Sequence, residues 1–166
     1  MSSCHCGVST GFGSPILQYP ADAGGKGKQG EDPALAKARR EVGPKDIVQR
    51  IASQMKECPG ERFALVGYSQ GGGVISAAAQ LLTAEQINKV DAVVTYGSKG
   101  TFPAALQKKW LNNCAPGDMC GGLPGTEGHL SYNNKGTVWH DRSAKYIADA
   151  FAGKSQGQVF AKTSKV

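Results

Sequence analysis

The sequence predicts an α/β protein, a central and mostly parallel sheet of about four strands covered by helices on both faces. Three observations predict it. Phe63-Ala-Leu-Val-Gly67 and Asp91-Ala-Val-Val-Thr-Tyr96 are nearly continuous apolar runs of strand length, the pattern of strands buried on both faces of a parallel sheet. Segments with helical spacing of apolar residues alternate with these runs. The length of 166 residues and the 40% share of hydrophobic residues suit one domain around one core.

Taken in order, residues 1–14 are small, polar and glycine-bearing, and read as an irregular segment. Ile16-Leu-Gln-Tyr19, ahead of Pro20, is a short strand candidate, and Ala21 to Asp32 a glycine-rich surface loop. Pro33 to Val42 reads as one helix and Pro44 to Glu57 as another, with Pro44 in its first turn and Ile47, Val48, Ile51 and Met55 on one apolar face. The strand from Phe63 leads straight into a Gly- and Ala-rich helix from Gln70 to Leu82, with a break at Thr83. The strand from Asp91 follows, and Lys109 to Asn113 is a further strand candidate. Val138 to Phe151 reads as the last helix, with Tyr146, Ile147, Ala150 and Phe151 inward. The expected domain is 15–152, followed by a polar tail, 153–166.

The net charge of +6 is scattered, and its densest cluster, Lys37, Arg39 and Arg40, fits a solvated helix face, so no nucleic-acid partner is expected. No run approaches the ~18 apolar residues of a membrane span, and the first residues have neither the basic nor the apolar region of a secretory signal. Five cysteines, Cys4, Cys6, Cys58, Cys114 and Cys120, leave at least one without a partner inside the chain. Cys114 and Cys120 flank the turn-rich Ala-Pro-Gly-Asp-Met, which a disulfide would close in an oxidising compartment; two reduced cysteines fit the same spacing. Cys4-His5-Cys6 offers zinc-type donors, but adjacent residues rarely chelate one tetrahedral ion, and no metal or cofactor is expected.

Gly67-Tyr68-Ser69-Gln70-Gly71 sits between a buried strand and a helix, the context in which Gly-x-Ser-x-Gly becomes a nucleophile elbow. The glycines leave room for a tight turn that thrusts the Ser69 hydroxyl outward. The helix start behind it supplies N–H groups and a positive dipole end, with the Gln70 N–H expected to hold an oxyanion. A serine hydroxyl needs a neutral imidazole to take its proton. Of the three histidines, His5 lies in the irregular segment and His140 begins the last helix, whereas His129 lies on a loop after the last strand candidate and follows the chain order Ser, acid, His of hydrolases of this architecture. Asp118 is the favoured acid. Asp91 is at the wrong end of its strand, Asp141 lies beyond both usable histidines, and Glu127 is too close to His129 in sequence. The expected architecture is therefore a three-layer α/β/α fold of hydrolase type.

Cys58-Pro59, Leu65-Val-Gly-Tyr-Ser-Gln-Gly71, Tyr96-Gly97, Cys114-Ala-Pro-Gly-Asp-Met-Cys120 and Gly128-His-Leu-Ser-Tyr132 recur in the order in which they stand in the cutinase family of serine esterases, which includes acetylxylan esterases, and the chain resembles that family over roughly residues 15–152. The resemblance implies Ser69 as nucleophile, Asp118 and His129 as its partners, Gln70 as an oxyanion donor, and a Cys114–Cys120 disulfide. It also implies an extracellular enzyme without metal or cofactor that hydrolyses carboxylic esters, whether a cutin-type polyester, an acetylated polysaccharide or a short-chain ester; a monomer is expected, with Leu123 and Leu130 as candidate pocket-lining residues. The family's additional apolar strand, whose following hydroxyl residue gives a second oxyanion contact, has no counterpart in Met1 to Ser14, where Ser9 and Thr10 are the available hydroxyls; Cys58 then has Cys4 or Cys6 as its candidate partners. A catalytically impaired surface or cell-wall binding protein is the alternative. Trp110 and Trp139 are expected to be packing residues rather than sugar platforms.

Overall fold

The computed structural model describes residues 33–121, 128–135, 137–154 and 157–162. Along the chain these form α1 (Pro33–Glu57), β1 (Phe63–Tyr68), α2 (Gln70–Ala79), α3 (Ala84–Lys89), β2 (Val90–Tyr96), α4 (Ala104–Gln107), β3 (Trp110–Asn113), α5 (Trp139–Phe151) and β4 (Val159–Ala161). The four strands lie in the order β1-β2-β3-β4, and every neighbouring pair is parallel. Strand alternation separates two cores. Phe63, Leu65, Val93 and Trp110 face α1, α2 and α4, where they meet Ile51, Ile75, Ala79 and Leu106. Ala64, Val94 and Leu111 face the other way, against Trp139 and Tyr146 of α5. The result is the expected three-layer α/β/α fold. Val93, Val94, Leu106 and Leu111 are fully buried, and each such side chain stabilises the fold by roughly 1.5–3 kcal/mol relative to exposure.

Several elements depart from expectation. The two helices predicted before β1 are one, α1, with Pro44 inside it. Proline at that position forgoes one i→i−4 bond. Gly43 and Pro44 are buried, and the Glu41–Lys45 pair, at 2.6 Å, bridges the proline on the outer face. Lys37 and Arg40 are exposed on this helix, the solvated face expected of them. The break at Thr83 is the start of α3: the Thr83 side chain accepts from the Gln86 N–H while the Gln86 side chain accepts from the Thr83 N–H, a reciprocal capping box. Residues 153–166 are not simply a tail, since Val159–Ala161 pairs with β3. Three residues are too few for a period-two signal, yet Val159 and Ala161 pack on the α5 side while Phe160 is exposed. The sheet does have four strands among the described residues, but its fourth is this one; the candidate Ile16–Tyr19 lies outside the described residues. Phe151, expected inward, is exposed because it falls off the stripe formed by Trp139, Ser143, Tyr146 and Ala150. Trp110 and Trp139 are both buried packing residues.

Tyr146 closes the base of the α5 layer and donates to the Gly157 carbonyl at 3.0 Å. Burial pushes its phenol up to about 12. The unfolded chain releases that proton near pH 10, while the folded chain holds it to about 12. Stability is therefore level below pH 10 and falls between pH 10 and about 12. Urea midpoints measured across this range are expected to fall, and less steeply in Tyr146→Phe.

Candidate active site

The carboxyl ends of the strands finish in register. Tyr68 pairs with Tyr96, and Tyr96 with Asn113. The next residue of each strand continues the ladder: Ser69 N–H donates to Tyr96 O at 2.8 Å, Gly97 N–H to Asn113 O at 3.0 Å, and Cys114 N–H to Ala161 O at 2.8 Å. Ser69, Gly97 and the Cys114 loop thus stand side by side along one rim of the sheet, where open α/β sheets hold their ligands.

Ser69 is the only residue other than glycine with positive φ among the described residues, at φ 52° and ψ −119°. A conformation of this kind costs on the order of 1–3 kcal/mol and is found where a turn must aim a side chain. Ser69 caps α2, and Gln70 is the first residue of that helix. A Cβ on Gly67 would lie 2.7 Å from the backbone of Gly71 and Gly72, so only glycine lets the strand enter the turn this closely.

The structure brings the three expected side chains into one line. His129 Nε2 lies 2.8 Å from Ser69 Oγ, and His129 Nδ1 lies 3.0 and 3.1 Å from the two oxygens of Asp118. The carboxylate accepts only, so Nδ1 carries the proton and Nε2 is left to accept from the serine hydroxyl. The Asp118 side chain is fully buried, while His129 is 18% exposed. Cys114 and Cys120 form a disulfide whose Cα atoms are 5.8 Å apart, closing the turn that carries Asp118. The rival acids are elsewhere: Asp91 pairs with Arg62 at the amino ends of the strands, and Asp141 opens α5. His140 is exposed and its ring meets that of Tyr96, 6.1 Å away. His5, Ser9, Thr10, Cys4, Cys6, Leu123 and Glu127 lie outside the described residues. Among the described residues no cluster of three or more His, Cys, Asp or Glu is arranged to hold a metal ion, and no helix is long and apolar enough to cross a membrane.

Residues not predicted for the site complete it. Tyr68, inside the elbow, donates its hydroxyl to the His129 carbonyl at 2.6 Å and stacks on the imidazole with centroids 5.2 Å apart. Burial, with the nearby Asp118 charge second, raises its phenol above the ordinary value. Tyr132 bonds Asp118 from the far side. Its sequence signal was its place three residues after the histidine, and Tyr68 had none beyond the motif. Val66, Tyr68, Tyr96, His129, Leu130 and His140 are among the residues lining a groove of about 430 Å³ along the histidine loop.

A strand–turn–helix elbow with a strained serine, set over a parallel three-layer sheet and bonded to a histidine from a later loop, is the architecture of an α/β-hydrolase-type protein. The family model for cutinase matches residues 9–151, and the chain belongs to the cutinase family. A cutinase of Blumeria hordei is 29% identical over 137 residues, covering 80% of this chain and 52% of that protein. The solved structure of Trichoderma reesei cutinase in complex with a C11Y4 phosphonate inhibitor is 29% identical with a TM-score of 0.56, covering 70% of this chain and 53% of that one. An acetyl xylan esterase structure shares the fold at 19% identity, with a TM-score of 0.57 over 84% of this chain and 81% of that one. The chain spans about half the length, or less, of the first curated relatives it matches.

Gly97 leaves no room for a side chain. Its φ is +59°, and an added Cβ would lie 2.7 Å from Asp118 Oδ2 and 3.0 Å from the His129 ring. Gly97→Ala is expected to destabilise the fold by about 1–3 kcal/mol, read from urea midpoints, and to shift the His129 ring resonances in NMR spectra; unchanged resonances would contradict the geometry.

Proposed function

We propose that this protein is a serine esterase that hydrolyses carboxylic esters through an acyl-enzyme, with Ser69 as nucleophile, His129 as general base and acid, and Asp118 as the group that orients and charges the imidazole. The observation that carries this reading is the unbroken line from Ser69 Oγ to His129 Nε2, at 2.8 Å, and from His129 Nδ1 to Asp118, at 3.0 Å. Ser69 Oγ adds to the ester carbonyl carbon as its proton passes to His129 Nε2, and the carbonyl electron pair moves onto oxygen. The Gln70 N–H, at the start of α2, holds that oxyanion with the helix dipole behind it. When the carbonyl re-forms, the C–O bond to the alcohol breaks and the leaving oxygen takes the proton from His129. Water then enters by the same route, giving the acid and restoring Ser69.

The groove along Tyr68 and His129 supports a substrate with an apolar portion. Val66 and Tyr68 are half-exposed on its wall, and Leu130, next to His129, is 81% exposed. A cutin-type polyester, an acetylated polysaccharide and short-chain esters all place a carbonyl on such a site. The Cys114–Cys120 disulfide suits an oxidising compartment, in keeping with an extracellular enzyme.

Hydrolysis of short-chain p-nitrophenyl esters and labelling by a fluorophosphonate test the reading. Ser69→Ala is expected to abolish both, and His129→Gln to lower kcat by on the order of a million-fold. Asp118→Asn is expected to lower kcat by about 10⁴-fold. A folded protein whose Ser69 is not labelled, or a Ser69→Ala variant that turns over as fast as its parent, overturns it.

A further inference from the structure

We infer that Tyr132 is a positioning residue for the proposed reaction, one that fixes the Asp118 carboxylate by donating to it the one hydroxyl proton it has. The inference rests on the esterase reading above only for its kinetic consequence; the hydrogen bonding stands on geometry.

Tyr132 is 4% exposed, and its Oη lies 2.7 Å from Asp118 Oδ2, the oxygen that stands 3.0 Å from His129 Nδ1. The direction of the proton follows from the third partner. Ala115 N–H donates to Tyr132 Oη at 3.0 Å, so the oxygen's accepting side is engaged and its proton is turned to the carboxylate. Cys120 Sγ, 3.7 Å away, is in the disulfide and has no proton to give. The ring cannot swing away, because Tyr68, Tyr96 and Trp139 surround it with centroids 5.9, 5.6 and 5.4 Å distant.

Asp118 needs this donor. A fully buried carboxylate loses its water and must recover hydrogen bonds from protein groups. Among the described residues its remaining partners are His129 Nδ1 and the Cys120 N–H, the latter at a long 3.4 Å. Burial, and then the Asp118 hydrogen bond and charge, push the Tyr132 phenol well above its ordinary value, so the donor stays protonated throughout the working range of an imidazole. Without the hydroxyl the carboxylate is free to rotate about its last bond. It also becomes a stronger acceptor for His129 Nδ1–H, because the charge that Tyr132 shared is no longer shared.

Tyr132→Phe keeps the ring and removes the proton. In this variant kcat for p-nitrophenyl ester hydrolysis is expected to fall on the order of tenfold or more with KM little changed, because orientation is lost and binding is not. The downfield proton resonance of His129 Nδ1–H is expected to move further downfield. In an Asp118→Asn background the same substitution is expected to lower kcat by less than about twofold, since the effect runs through the carboxylate. A folded Tyr132→Phe protein with parental kcat and an unmoved Nδ1–H resonance overturns the inference, as does an equal loss of kcat in both backgrounds. A parent chain that neither hydrolyses esters nor is labelled at Ser69 would sink the esterase reading instead, and the resonance would still decide the role of Tyr132. Should Tyr132→Phe fail to fold, the parent protein supplies the test: a slowly exchanging Tyr132 hydroxyl proton resonance, lost in Asp118→Ala, is expected, and its absence in the parent overturns the inference.

Discussion

Everything in the site hangs on the strand ends finishing level. Three successive ladder bonds, from Ser69, Gly97 and Cys114, extend the sheet one residue past β1, β2 and β3 before each chain turns away. A slip of one residue in any pairing would move a side chain to the opposite face of the sheet, and it would also shift one of these rim residues by a strand step of about 3.3 Å. The hydrogen bond from His129 to Ser69, at 2.8 Å, has no slack for such a shift. The register itself is held by what the strands bury. Val93 and Val94 point to opposite cores, and neither has any exposed surface.

That rigidity sustains local strain. The positive φ at Ser69 is the sort of conformation that persists only where its surroundings over-determine it. Here the strand holds one side through the Ser69 N–H bond to Tyr96, and α2 holds the other through the Gly72 N–H bond to the Ser69 carbonyl, at 3.0 Å. Gly67 permits the approach from below. A flexible loop could carry a serine equally well, but it would not aim the hydroxyl at an imidazole that belongs to a chain segment 60 residues later.

Legibility in the sequence followed the range of the interactions. Buried parallel strands announce themselves because both faces are apolar, so β1 and β2 were readable to within a residue or so, and the Gly-x-Ser-x-Gly elbow between β1 and α2 was readable with them. Asp118 and His129 were reachable from chain order and from their loops. What stayed hidden depends on contacts that no local pattern encodes. The strand β4 is three residues long and exists because β3 offers it an edge. Helix α1 runs through Pro44 because burial there offsets a lost backbone bond, whereas proline alone signals a boundary. α3 is the exception: Thr83-Ala-Glu-Gln86 is a capping-box pattern that was on view, but Thr83 reads equally as a breaker.

The two tyrosines were hidden for the same reason, and their positions say how the site is organised. Tyr68 stands just before Ser69 and bonds the backbone of His129; Tyr132 stands three residues after His129 and bonds the Asp118 carboxylate. The links interlock, because each of the three segments, elbow, acid turn and histidine loop, is bonded to another by a side chain other than Ser69, His129 and Asp118. The acid turn is closed further by the Cys114–Cys120 bond. The histidine loop closes on itself at the Gly128 carbonyl, which accepts from Ser131 N–H at 3.1 Å and from Ser131 Oγ at 2.7 Å. This segment carries His129. Its placement therefore falls to the two aromatic anchors, of which Tyr132 lies in the core between Asp118 and α5 while Tyr68 is half exposed at the groove.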